Sequence, residues 1–267
     1  MRSGLVMALT AILSLAIGAF GGARLAGGST PILRTAEGRP DFNGIWQATS
    51  TANWDLQTHS ASSGPDALGA LLAVPPGIGV VDGEEIPYLP AALAKKQENL
   101  LNRWTADPEA KCYLPGVPRA TYMPQPFQIV QSSDRLLIAY QFAGATRIVN
   151  MSAPTEAAVD SWMGWSNGRW EGDALVIDVK GFNDQTWFDR AGNHHSDQLH
   201  VVERYSMANP NTLNYEAMIE DPNVFSRPWT IRLPLHRRVD TGAQLMEFKC
   251  VEFTEELLYG QFRKQPR

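Results

Sequence analysis

The chain has 267 residues, of which 44% are hydrophobic and 19% are charged, a composition that excludes wholesale disorder. Its net charge of −5, with no basic run longer than a pair, argues against nucleic acid as a partner. The eight Trp and eighteen Pro residues are more typical of a strand-and-loop protein with aromatic packing than of a helical one.

The N-terminal segment predicts export. Arg2 precedes an apolar run over residues 5–20, and small residues follow it, which is the pattern of a secretory signal peptide. The run is shorter than the roughly 20 residues that span a bilayer, but Arg24 close behind it keeps an uncleaved inner-membrane anchor as the alternative. We expect residues 1–27 to be a signal peptide or anchor and 28–41 a linker. The main body is then periplasmic or secreted, without a membrane span.

The next elements in chain order are one strand, one loop and one helix. Gly44-Ile45-Trp46 opens a predicted strand over residues 42–49, and the Ser-, Gly- and Pro-rich stretch 56–83 predicts a long loop. Ala and Leu at helical spacing predict a short helix over about 90–104. Five prolines between residues 108 and 126 then predict an extended path.

The remainder of the chain predicts strands separated by turn residues. The predicted strands cover residues 127–131, 135–141, 146–150, 174–179, 199–206, 212–220, 229–234 and 244–252. A hairpin is expected to turn at Glu171-Gly172-Asp173. Because a sheet of this kind must hide its edges, we predict an all-β fold with a single antiparallel meander barrel over residues 42–267.

The two cysteines, Cys112 and Cys250, predict one disulfide in an exported protein. Two separate buried thiols are the alternative. The chain has no C-x-x-C motif, which argues against redox catalysis.

Two resemblances support this fold. Gly44-x-Trp46 at the start of a meander is similar to the lipocalin/calycin pattern, in which that Trp closes the barrel floor. The segments GRWEGDALVIDVKGFNDQTWFD, SDQLHVVERY and RPWTIRLPL resemble a large, mostly uncharacterised family of exported bacterial proteins. That resemblance implies a fold and a compartment but no reaction. His195, His200 and Glu203 match the family, whereas its residue at His194 is commonly apolar.

Residues 162–204 combine Trp, His and carboxylate side chains and predict the position of a site. Trp side chains can stack on an aromatic ligand or simply pack in the core, and polar groups can orient a ligand. The ligand-binding candidates are Trp162, Trp170, Asp184, Trp187, Glu203, Arg204 and Trp229. Trp165 joins the four Trp candidates in what we call the Trp set.

An acid–base group is a second use of this region. A His held by a carboxylate exchanges protons near neutral pH, so the catalytic candidates are His195, Asp197 and His200, with Asp184 or Asp189 as other partners for His200. The alternative is a solvated loop contact. No cofactor is predicted and no metal is favoured, although a zinc or iron ion would use the same three residues.

Two further patterns have structural interpretations. Ser166 lies in a G-x-S-x-G sequence, but a hairpin follows it where a nucleophile needs a helix, so its glycines are expected to serve a turn. Glu203 and Arg204 alternate along a strand, so one of them points into the barrel and needs a partner there. The candidate partners are Glu216, Arg232 and Glu247.

The sequence therefore leaves three functions open. The first is an exported barrel that binds a small apolar or aromatic molecule in the cell envelope. The second is a cofactor-independent lyase, isomerase or hydrolase that uses His/Asp pairs in the same cavity. The third is a structural envelope protein with a filled core. The oligomeric state is not indicated.

Overall fold

Nine β-strands close into a barrel in the computed structural model, which describes residues 31–64 and 73–249. The strands are β1 Gly44–Ala48, β2 Phe127–Gln131, β3 Arg135–Tyr140, β4 Thr146–Asn150, β5 Trp165–Glu171, β6 Ala174–Lys180, β7 His200–Asn209, β8 Thr212–Glu220 and β9 Trp229–Arg237. The helices α1 Pro90–Ala106 and α2 Arg119–Tyr122 lie between β1 and β2 in the chain. The predicted all-β barrel is confirmed, and so is the helix predicted at 90–104.

The strands follow one another around the barrel in chain order, and β1 closes it by pairing with both β2 and β9. One neighbouring pair departs from the predicted antiparallel meander. Strands β4 and β5 are parallel and pair only through Val149 with Ser166 and Asn150 with Asn167. The connection 151–164 is long enough to return the chain to the end where β4 began, which a parallel pair requires. We call this junction the β4–β5 seam.

One predicted strand is wrong. Residues 244–249 belong to no strand, and 250–252 lie outside the described residues. The barrel leaves no edge for them, because β9 already pairs with β8 on one side and β1 on the other. The predicted hairpin at Gly172 is confirmed: it joins β5 to β6 with Gly172 at φ 61°. Cys250 also lies outside the described residues, so its disulfide with Cys112 stays a prediction.

The Gly44-x-Trp46 pattern lies where β1 begins. The Trp46 ring is fully buried, its Nε1 donates to the Phe42 carbonyl at 2.9 Å, and the Arg237 guanidinium lies 4.2 Å above the ring centre. Gly44 has φ 136°, and a Cβ there would lie 2.2 Å from Arg237 Nη1. The positive φ favours glycine at this position, and any other side chain would also have to shift the end of Arg237.

The segment before β2 is held against the barrel by polar contacts. All four residues of α2 are buried, and the Arg119 guanidinium makes hydrogen bonds to Asn53, Asp107 and Glu109. Residues 80–82 make backbone hydrogen bonds to residues 230–232 of β9, while β1 pairs with residues 235–237 of the same strand. The described residues fall in one compact unit that begins at Pro31, and none of their helices has the length and apolarity to cross a bilayer.

Candidate functional site

A charged pair lies inside the barrel. Glu203 on β7 is completely buried, and its Oε1 accepts hydrogen bonds from the hydroxyls of Tyr205 and Tyr215 at 2.9 and 2.8 Å. Its Oε2 accepts a short hydrogen bond from Arg147 Nη2 on β4. Arg204 points outward and pairs with Glu171. The prediction that Glu203 and Arg204 face opposite sides of the sheet is confirmed.

The predicted partners of the buried charge are wrong. Glu216 and Arg232 lie on the outer face and pair with each other at 2.7 Å, and the Glu247 side chain is 78% exposed. The true partner, Arg147, was missed because it lies in the apolar strand sequence TRIVN. The sequence nevertheless indicates its direction, because residues two apart on a strand point to the same face and Val149 points inward.

The guanidinium of Arg147 is only partly paired. Its Nε and Nη1 have no hydrogen-bond partner among the described residues, and neither have the buried hydroxyls of Thr121, Tyr140 and Ser166. Burial, the largest single influence, lowers the pKa of Arg147, but the charge and hydrogen bond of Glu203 together with the neighbouring Tyr140 and Tyr205 raise it above its ordinary value. Burial raises the pKa of Tyr140, so its hydroxyl stays protonated. The barrel interior therefore holds several donors that lack acceptors.

A cleft of about 720 Å³ opens at the β4–β5 seam, bounded by the connection 151–164. Its apolar lining includes Leu114, Val159, Met163 and the rings of Trp162 and Trp165. Arg147 and Ser166 also line it. Both of these side chains occupy inward strand positions and are buried, so the inner wall of the cleft borders the barrel interior. We call this cleft the seam cleft.

The predicted Trp set is divided between the seam cleft and three other environments. Trp162 packs edge-on against Tyr113 with ring centres 5.1 Å apart, and Trp165 Nε1 donates to the Thr155 hydroxyl. Both rings line the seam cleft, while the other three Trp candidates do not line it.

The remaining three Trp rings pack elsewhere. Trp170 packs against Phe42 with Arg39 over its face, Trp187 is buried, and Trp229 packs edge-on against Phe188. A single stacking platform of all five rings is therefore not formed.

His195 and Asp197 do not form the predicted acid–base pair. His195 is buried between the rings of Phe182 and Phe188. Its Nδ1–H donates to the Ser196 carbonyl at 2.8 Å, so Nε2 is the acceptor for the Thr186 hydroxyl at 2.5 Å. Burial lowers the pKa of His195, which keeps the ring neutral. Asp197 is exposed, and its carboxylate accepts a hydrogen bond from Gln198. Both ring nitrogens of His195 are thus occupied by structural hydrogen bonds.

His200 belongs to a different surface. It lies at the start of β7 with Nε2 2.9 Å from Asp178 and Nδ1 3.5 Å from Glu220. The predicted partners Asp184 and Asp189 are elsewhere: Asp184 is exposed, and Asp189 is completely buried and accepts from Asn193 and Leu56. The pairing predicted for His200 is therefore wrong. Across residues 31–64 and 73–249, no cluster of three His, Cys, Asp or Glu side chains could hold a metal ion.

The G-x-S-x-G sequence has the expected hairpin context. Ser166 lies on β5, and Gly164 before it has φ 66°, as a turn requires. Gly168 has another reason: a Cβ there would lie 2.4 Å from the sulfur of Met151. The expectation of two turn glycines is thus correct for Gly164 and wrong for Gly168.

No protein-family model matches this chain, and no curated protein matches it.

Proposed function

We propose that this protein is an exported barrel that binds a small, largely apolar or aromatic molecule in the seam cleft. The observation that carries the proposal is an apolar cleft lined by two buried polar side chains, Arg147 and Ser166, that have donors without partners among the described residues. Ligand sites commonly combine these two properties, and the volume of about 720 Å³ lies in their usual range.

The cleft surface also supports an aromatic or apolar ligand. Val159 is 77% exposed and Trp165 is 43% exposed, although both are large apolar residues. Exposed apolar side chains gathered in one concave place are characteristic of binding sites. The flat faces of Trp162 and Trp165 offer contact area at a low cost in conformational entropy. The acid–base alternative has less support, because His195 is fully hydrogen-bonded and Asp197 lies in solvent. His200 contacts the carboxylates of Asp178 and Glu220, but it does not line the cleft.

Export remains part of the proposal and is supported by the sequence of residues 1–27, which lie outside the described residues. It is tested by expressing the full chain and sequencing the N-terminus of the protein recovered from the periplasm. A mature start near residue 28 supports a cleaved signal peptide. An intact N-terminus in the membrane fraction supports the anchor, and recovery in the cytoplasm contradicts export.

Binding is tested with N-phenyl-1-naphthylamine, a neutral probe whose fluorescence rises in apolar surroundings. We expect saturable binding that Val159→Lys weakens about tenfold or more, because the ligand would desolvate an ammonium group at the cleft wall. Val239→Lys is the matched control, since Val239 is 71% exposed and does not line the cleft. Equal binding by both variants, or no saturable binding to the unmodified protein, contradicts the proposal.

A further inference from the structure

We infer that the ligand of the seam cleft carries a neutral hydrogen-bond acceptor, such as a ketone or ester carbonyl, which accepts from Arg147 and Ser166. The inference rests on the proposed function and deepens it by naming the chemical class of the ligand. It is carried by the balance of donors, acceptors and charge around Arg147.

The polar side chains at the inner end of the cleft lack acceptors. Arg147 can only donate, and its Nε and Nη1 have no partner among the described residues. The hydroxyl of Ser166, which also lines the cleft, has no partner among these residues either. The nearest carboxylate, Glu203, already accepts hydrogen bonds from Tyr205, Tyr215 and Arg147. A ligand that supplies an oxygen acceptor would therefore satisfy groups that are costly to leave unpaired.

The charge balance decides which kind of acceptor fits. Arg147 and Glu203 already form a buried pair whose charges cancel. A carboxylate ligand would place a second negative charge beside Glu203 and leave the buried group with a net charge, which a low-dielectric interior penalises. Arg135 also lines the cleft, but its side chain is 68% exposed, so solvent screens its attraction for an anion. A neutral carbonyl supplies the acceptor without this cost.

The position of Ser166 supports the same geometry. It pairs with Val149 across the seam, and Arg147 lies two residues before Val149 on the same inward face. The two side chains are thus diagonal neighbours on adjacent strands, and both line the cleft.

The test compares three probes of similar shape: 2-acetylnaphthalene, 2-isopropylnaphthalene and 2-naphthoate. We expect the ketone to bind about fivefold more tightly than the hydrocarbon, because one added hydrogen bond is worth about 1 kcal/mol. The naphthoate should bind more weakly than the ketone. Ser166→Ala should reduce the preference for the ketone and leave the affinity for the hydrocarbon unchanged. The control Ser152→Ala, at an exposed serine of the connection 151–164, should change neither affinity. Calorimetric titration measures all three affinities.

The outcomes separate this inference from the proposed function. If all three probes bind but the ketone has no advantage, or the naphthoate binds most tightly, the inference is overturned and the proposed function stands. If none of the probes binds, both are overturned. A ketone preference that Ser166→Ala leaves intact contradicts the assignment of Ser166 as a donor to the ligand.

Discussion

Two buried arginines differ in how completely they are paired. Every nitrogen of the Arg119 guanidinium is bonded: Nε to Asn53, Nη1 to Asp107, and Nη2 to both Asp107 and Glu109, at 2.6–3.0 Å. Arg147 is buried to a similar degree, but within the part of the chain that the structure describes its guanidinium makes a hydrogen bond only to Glu203. The first group is complete without any other molecule, whereas the second is not.

The electrostatics of the Arg119 group agree with a purely structural role. Burial alone would raise the pKa of Glu109, but the guanidinium groups of Arg119 and Arg190 lower it to about 2. These contacts connect the turn after α1 with α2 and with the loop that contains Arg190. A saturated buried ion pair therefore fixes the chain, while an unsaturated one beside a cleft is a candidate for ligand binding.

The largest effect is expected from Arg119→Met. The change removes the cation from two buried carboxylates, Asp107 and Glu109, and breaking a buried pair in this way costs about 3–5 kcal/mol. Urea denaturation followed by circular dichroism measures the free energy of unfolding. A loss below about 1 kcal/mol would contradict the structural role of the group.

Two tyrosines near Arg147 offer a matched pair. Tyr215→Phe removes a hydrogen bond to the Glu203 carboxylate and should cost about 1.5–3 kcal/mol. Tyr140→Phe removes a buried hydroxyl without a partner among the described residues, so the free energy of unfolding should stay constant or rise slightly. Equal losses in the two variants would show that the Tyr140 hydroxyl is already paired.

A smaller effect is expected from pH. Burial lowers the pKa of His195, and burial together with His195 lowers that of His194 to about 4. Because an unfolded His has a pKa of about 6.5, the unfolded chain takes up protons below that pH which the folded chain does not. Stability should therefore be full above about pH 6.5 and fall as the pH decreases toward about 4.

A variant at His194 tests this origin of the pH dependence. His194→Phe keeps a ring against Tyr88 and removes a titrating group, so the loss of stability between pH 7 and pH 5 should become smaller. His236→Phe, on the exposed face of β9, is the control for replacing an imidazole. Unfolding free energies measured at both pH values decide the question, and an unchanged loss in His194→Phe would contradict it.

The sequence predicted the barrel well because period-two alternation and turn residues are local signals. Seven strands after β1 were expected within a few residues of their true bounds, and the hairpin at Gly172 followed from its turn residues. The parallel seam could not be predicted, because the connection 151–164 has no pattern that tells which way the next strand runs. The segment 244–249 alternates like a strand, but closure by β1 leaves it without an edge to pair with.

The candidate site was predicted only in part, since it depends on contacts between distant strands. Two candidates from the predicted region 162–204 do belong to the site: Trp162 lines the cleft, and Glu203 contacts Arg147. The three predicted catalytic residues are close in sequence but have separate contacts. His195 lies in a buried part of the loop, Asp197 in an exposed part, and His200 at an outward position of β7. Arg147 was missed because it lies in the apolar strand sequence TRIVN, 56 residues before its partner Glu203.

The most direct test of the seam cleft is an NMR titration that follows the indole N–H signals of the eight Trp residues. With 2-acetylnaphthalene added, the signals of Trp162 and Trp165 should shift in a saturable way while those of Trp46 and Trp170 stay in place. Shifts at Trp46 or Trp170 in place of the two cleft residues, or no saturable shift at all, would contradict binding at the β4–β5 seam.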